Sequence, residues 1–146
     1  MTAPETVLAF DFGLKRIGIA GGDTLTRQAT ARAAAAVHGG TPDWQAIARE
    51  VRALTPAVLI VGAPYNADGS VGTLLARARR FAAELERRFA LPVQLVDERF
   101  SSLEAHQALK ARRASGGRGR IQRADIDSAA AAVILGRWFQ GEGQGT

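Results

Sequence analysis

The sequence predicts a mixed α/β fold, and three features carry that expectation. Short stretches at residues 7–10, 57–61 and 93–96, the first two continuously apolar, have strand character; stretches of helical period separate them; and each ends abruptly on an acid or a glycine. No internal repeat and no linker divides the 146 residues, a length that suits one domain with a real core. The expected unit is therefore residues 1–146, with its core at about 7–139 and a disordered tail at 141–146.

Each element has a local reason. Residues 7–10 are continuously apolar and stop at Asp11; Gly13, Lys15 and Arg16 make a short turn, and residues 17–21 return as a second strand. A weaker, alanine-rich third strand is expected at 32–37. Thr41 and Pro42 read as an N-cap followed by proline at the first helical position, opening a helix to about Leu54 with Trp44, Ile47, Val51 and Leu54 on one face. Pro56 ends that helix, and residues 57–61 form the fourth strand. Residues 63–70 are a loop by their turn chemistry. A long amphipathic helix follows, with Leu74, Ala78, Phe81, Leu85 and Phe89 as its apolar stripe and Arg77, Arg80, Glu84 and Arg88 towards water. Pro92 opens the fifth strand, 93–96, which ends at Asp97 and Glu98. Ser101 and Glu104 form a capping box for a helix to about Arg113. A Gly/Arg-rich loop spans 115–123, and the last helix runs from near Asp125 to Trp138 and Phe139.

The resulting order, β-β-β-α-β-α-β-α-α, is a mixed sheet with helices on both faces. Helical crossovers make the first, fourth and fifth strands parallel, so their carboxyl ends share one edge, where open α/β sheets place their sites. Asp11, the loop with Asn66 and Ser70, and the Asp97-Glu98 pair all map there.

A carboxylate ending a central strand is costly unless it is paired or bound to a cation, which singles out Asp11; capping of the Gly13 turn is the competing reading. Asp97 and Glu98 point to opposite faces of their strand, so only one joins Asp11 directly. Asp125 and Asp127 open the last helix, where acids also settle against the helix dipole. Three carboxylates from separate elements, without Cys or His, form an oxygen-ligand set for Mg²⁺ or Mn²⁺. Two such ions roughly 4 Å apart activate water and stabilise a leaving oxygen in phosphodiester cleavage.

Composition fits a polyanionic partner. The formal charge is +5 and the basic excess is arginine-heavy, a donor geometry matched to phosphate, although GC-rich coding also enriches Arg and Ala. Cysteine is absent, which excludes disulfides and thiolate metal sites. No apolar run reaches the roughly 20 residues of a membrane span, and no signal peptide opens the chain, so a cytoplasmic address and no membrane partner are expected.

Four stretches together resemble the YqgF (RuvX-type) family of bacterial ribonuclease H-like proteins: AFDFGLKRIGIA at 9–20, VGAPYNADGS at 61–70, VDERFSS at 96–102 and IDSAAA at 126–131. The match runs from about Val7 to Phe139, with the motifs in the family's order. The resemblance implies a ribonuclease H-like fold with an Asp-Glu-Asp metal site, here Asp11, Glu98 and Asp127. It implies a nuclease that matures the 5′ end of precursor 16S ribosomal RNA, with the ribosome as a potential partner. A Holliday-junction resolvase acting on branched DNA is the alternative, and would need a symmetric dimer; monomer and homodimer both stay open. Ala63 stands where Leu is usual, Ser128 replaces a common Lys, and Arg and Gly replace a Lys-rich approach to the last acid. These departures leave the acids intact and alter the groups available to phosphate.

Around that set, Lys15 and Arg16 on the hairpin turn are candidates to grip a nucleic-acid backbone, and Asn66 and Ser70 to touch phosphate or base, with Ser70 as a helix cap the alternative. Arg99 either orients Glu98 or pairs with a neighbouring acid. Lys110, Arg112, Arg113, Arg118, Arg120 and Arg123 form an acid-free basic segment, read as an RNA-gripping flap or as a solvated loop. His38 and His106 are expected to be ordinary surface residues. A catalytically weak nucleic-acid-binding assembly factor is the competing function of another class. The actin-like ATPases also set an acid and a glycine after the first strand, but need a second such domain for which the length leaves no room.

Overall fold

A computed structural model of the protein describes residues 4–63, 73–97 and 123–141, with the backbone alone at 63, 73–74, 97 and 123–127. The predicted hairpin comprises β1 (Thr6–Asp11) and β2 (Arg16–Asp23), followed by β3 (Ala29–His38), β4 (Thr41–Pro42), α1 (Trp44–Leu54), β5 (Val58–Ala63), α2 (Thr73–Phe89), β6 (Val93–Asp97) and α3 (Arg123–Gln140). The six strands form one sheet in the order β4-β3-β2-β1-β5-β6. β1 pairs antiparallel with β2 and parallel with β5, and β5 pairs parallel with β6, as the crossover argument required.

β1 is central and covered on both faces, which is why Val7, Leu8, Ala9 and Phe10 are all apolar and fully buried. Strand alternation sorts them. Leu8 and Phe10, with Ile17, Ile19, Leu59 and Val61, pack against Ile47 of α1 and against Ala78, Phe81 and Leu85 of α2. Val7 and Ala9, with Ala20 and Ile60, pack against Ala131, Ile134 and Leu135 of α3. Helices therefore cover both faces. No helix among the described residues is long and apolar enough to cross a membrane.

The start of α1 corrects the sequence expectation. Thr41 is not its N-cap, and Thr41–Pro42 is instead a short fourth strand. Gly39 and Gly40, at φ +58° and +82°, make a two-residue turn that folds Thr41 back onto His38 and Pro42 onto Val37. Proline is tolerated there because this strand is the sheet edge. The cap is Asp43, whose side chain accepts from the Ala46 N–H at 3.2 Å. The helix closes on Thr55 in the left-handed region (φ 42°), whose N–H donates to the Val51 carbonyl, and Pro56 then prevents its continuation.

Two further details concern helix ends and faces. α3 spans Arg123–Gln140, a start close to the expected Asp125, so Arg123, expected in the Gly/Arg-rich loop, is helical. Arg88 is exposed as expected, and in addition its guanidinium lies 4.2 Å from the centre of the Trp44 ring while its Nε donates to Glu84 at 2.8 Å. The helix expected between Ser101 and Arg113 lies outside the described residues.

Candidate active site

Asp11 is the last residue of β1 and is half-buried. Its position in the alternation, two after Ala9 and four after Val7, puts it on the face that α3 covers. Its lateral neighbours in the sheet are Gly18 of β2 and Gly62 of β5. A carboxylate at the carboxyl end of a central parallel strand is thus flanked by two residues without side chains. Any larger pair would set Cβ atoms about 4.5–5.5 Å away on the same face. The sequence contained this signal, in the glycines of IGIA and VGAP, but only pairing in register gives it meaning.

The turn after Asp11 is tight for a specific reason. A Cβ on Gly13 would come within 2.5 Å of the Arg16 carbonyl oxygen, so only glycine lets the chain reverse here. Lys15 is exposed on that turn, and its carbonyl accepts from the Val37 N–H at 2.9 Å, which moors the turn to β3. Arg16 opens β2, half-buried.

α3 is fixed over this edge by a residue whose structural part the sequence did not reveal. Ser128 is fully buried. Its hydroxyl accepts from the Ile19 N–H at 3.1 Å and donates to the Arg32 carbonyl at 2.6 Å. Ile19 and Arg32 are register partners beside an irregularity in the β2–β3 ladder, so the hydroxyl joins two backbone groups at a break in regular pairing. Ile19 is adjacent to Gly18, the neighbour of Asp11 across β1 and β2. Farther along α3, Trp138 donates from Nε1 to the Gln94 side chain of β6 at 2.9 Å. The backbone of Asp127, next to Ser128 in α3, is therefore tethered on the Asp11 face of the sheet. The departure at position 128 is explained by packing: a buried hydroxyl there bridges strands and is not offered to phosphate.

On β6, Gln94 and Val96 contact the α3 side. Among the described residues no three acids or histidines gather, a set that omits the side chains of two predicted acids, Glu98 and Asp127. Asn66, Ser70, Glu98, Arg99, Arg118 and Arg120 lie outside the described residues, as does His106; His38 is exposed at the end of β3.

A family model described as RuvX, Holliday junction resolvase, matches residues 5–141. Proteins of Yersinia pestis (strain Pestoides F) and Yersinia pseudotuberculosis serotype O:1b (strain IP 31758), each named as a candidate pre-16S rRNA nuclease, are 43% identical over 137 residues. Those alignments cover 94% of this chain and 96% of each relative. Among solved structures, Thermus thermophilus RuvC in complex with a Holliday junction superposes with a TM-score of 0.58 at 13% identity, covering 97% of this chain and 98% of that one. Fowlpox virus resolvase bound to Holliday junction DNA superposes at 0.57 and 14% identity, covering 94% and 98%. At those identities the superpositions establish the fold, which is ribonuclease H-like.

Proposed function

The chain belongs to the RuvX family, and from that premise we propose that it is a metal-dependent nuclease. Its substrate is precursor 16S ribosomal RNA, and its acids are Asp11, Glu98 and Asp127. The observation that supports this most directly is Asp11 itself, a strand-end carboxylate between Gly18 and Gly62 on the face covered by the helix that contains Asp127. The period of two that turns Gln94 and Val96 to that face, continued along the sequence, favours Glu98 over Asp97 as the third acid.

This donor set suits a hard divalent ion. All three groups are carboxylates, and the register partners of Asp11 on β2 and β5 are both glycines. Mg²⁺ or Mn²⁺, as one or two ions, supplies the activation of water and the neutralisation of leaving-group charge at a phosphodiester. The chain's own groups do the rest. Asp11 is held in a rigid central strand, so its carboxylate needs little reorganisation to act. Lys15 and Arg16 meet the phosphates flanking the reacting one and set the register of the RNA. Arg99 is the group assigned to orient Glu98. Asn66, Ser70, Arg118, Arg120 and Arg123 extend the grip. Branched DNA is the second reading, favoured by the family model's description as a Holliday junction resolvase.

Cleavage of precursor 16S ribosomal RNA, single-stranded RNA and a four-way DNA junction in Mg²⁺ or Mn²⁺, beside Asp11→Asn protein, tests both readings. Metal-dependent cleavage of the precursor, lost in the variant, is expected; preferential cutting of the junction would transfer the assignment to DNA. Absence of cleavage on every substrate would leave a binding factor. Because the acids repel one another without metal, Asp11→Asn should leave the apo protein at least as stable, while Mg²⁺ raises the wild-type melting temperature more than the variant's.

A further inference from the structure

The other face of the same sheet edge contains a cavity of about 620 Å³. Its walls, among the described residues, include Phe12, Leu14, Trp44 and Phe81, with Arg77 and Arg80 on α2. We propose that this cavity receives one unpaired nucleotide of a single-stranded nucleic acid. In this reading the base lies against the aromatic and aliphatic wall, and its phosphates meet Arg77 and Arg80. The proposal rests on the nuclease reading for the class of polymer.

Three observations favour a nucleotide over other occupants. The first is charge. Glu84 lines the same cavity but is already engaged by Arg87 and Arg88. Among the described residues neither Arg77 nor Arg80 is paired with a carboxylate, and both are exposed. The site therefore presents uncompensated guanidinium charge, suited to phosphate. The second is surface chemistry. Trp44 is half-buried and lines the cavity beside the buried Phe12, and Leu14 stays 54% exposed on the hairpin turn, where an apolar side chain gains little unless something covers it. The Trp44 ring is held by stacking on Phe81, with centroids 5.5 Å apart at 27°, and by the Arg88 guanidinium 4.2 Å from its centre, so the part of it that lines the cavity is rigid. The third is position. Phe12 follows Asp11 directly and belongs to the opposite face, so a strand crossing the turn at Leu14 and Lys15 reaches both places within a few residues. An unpaired nucleotide beside the point of cleavage would let the protein distinguish single-stranded from duplex substrate.

The test is binding in EDTA, where cleavage is suppressed, by wild type, Asp11→Asn and the double variant Arg77→Gln/Arg80→Gln. The probes are a short fluorescein-labelled single-stranded RNA of mixed sequence and the same sequence as a blunt duplex. The double variant should lose roughly tenfold or more in single-strand affinity, and its salt slope should flatten by about one to two units, with duplex binding little changed. Single-stranded RNA should quench tryptophan emission in wild type but not in Trp44→Phe, whose ring still packs. Unchanged single-strand affinity in the double variant, equal losses on both probes, or quenching that persists in Trp44→Phe would overturn the proposal. Self-association of wild type that the double variant abolishes would assign the cavity to a second copy of the chain and overturn it too. If the double variant binds as expected but wild type cleaves nothing in metal, the nuclease reading fails and the cavity stands. Normal wild-type cleavage with unaltered binding by the double variant removes the cavity alone.

Discussion

Ser128 and Ile19, separated by 109 positions in sequence, are joined by a buried hydrogen bond from the Ile19 N–H to the Ser128 hydroxyl. The same hydroxyl donates to Arg32, so one side chain on α3 serves both sides of the β2–β3 ladder. Replacing Ser128 by Ala strands an N–H and a carbonyl at a site without water access, which costs about 1–3 kcal/mol. Thermal or urea denaturation should show that loss. Ser128→Lys should cost more, because it places an ammonium at a fully buried position. A lysine variant as stable as wild type would show that the position opens to solvent. Cleavage should fall in both, since α3 loses its tether beside Asp11.

Gly13 sets the turn that displays Lys15. In Gly13→Ala the new Cβ must move away from the Arg16 carbonyl, now 2.5 Å from where it would sit, and the hairpin opens. A loss of about 1–3 kcal/mol is expected, typical of a backbone clash at a special conformation. Lys15→Gln is the contrast: stability within about 0.5 kcal/mol of wild type, with weaker nucleic-acid binding. Equal stability of Gly13→Ala and wild type in denaturant would refute the steric argument.

The sequence made the strands and their parallel order legible because covered strands need unbroken apolar runs, and residues 7–10 have one. It also exposed Asp11, since an acid ending such a run is costly unless it is paired or bound to a cation. Ser128 was illegible for a different reason. A serine on an alanine-rich helix looks neutral, and its worth depends on a ladder irregularity between Ile17 and Ile19 that only the pairing reveals. Gly18 and Gly62 are similar, ordinary in their own strands and informative only as the two neighbours of Asp11. Thr41-Pro42 misled because Thr-Pro is equally at home before a helix and on a sheet edge; the Gly39-Gly40 turn decided between them.

Two surface carboxylates should give a small acid dependence of stability. Hydrogen bonding from Arg87 is the main cause that holds the Glu84 carboxyl below its ordinary range; desolvation opposes it, and Arg88 lowers it further. Asp23 is lowered by the Thr26 backbone N–H first, with further help from the Thr26 hydroxyl and the Leu25 N–H. In each the folded state favours the ionised form, so the contribution is complete above the unfolded values, about pH 4–4.5, and is lost as pH falls through the lowered folded values. The melting-temperature gap between wild type and Glu84→Gln should be present at neutral pH and close in acid. A gap that widens on acidification would reverse the sign of the linkage.

The last prediction separates grip from chemistry at the approach to α3. The acid-free basic segment ends at Arg123, the first residue of the helix that contains Asp127. On the proposed function, Arg118, Arg120 and Arg123 neutralise phosphates away from the reacting one, so their contacts are equally strong in the ground and transition states. Replacing all three by Gln should weaken RNA binding and flatten the salt slope by roughly one unit per lost phosphate contact, with little change in turnover at saturation. Glu98→Gln should do the reverse, with near-normal binding and cleavage lost. Binding and single-turnover rates measured across a salt series distinguish the two. Unchanged affinity and slope in the triple variant would make the segment a solvated connector and move the electrostatic footprint to Lys15 and Arg16. A collapse of saturated turnover in the triple variant would instead make those arginines part of the reacting centre, because a contact that serves binding alone leaves kcat where it was.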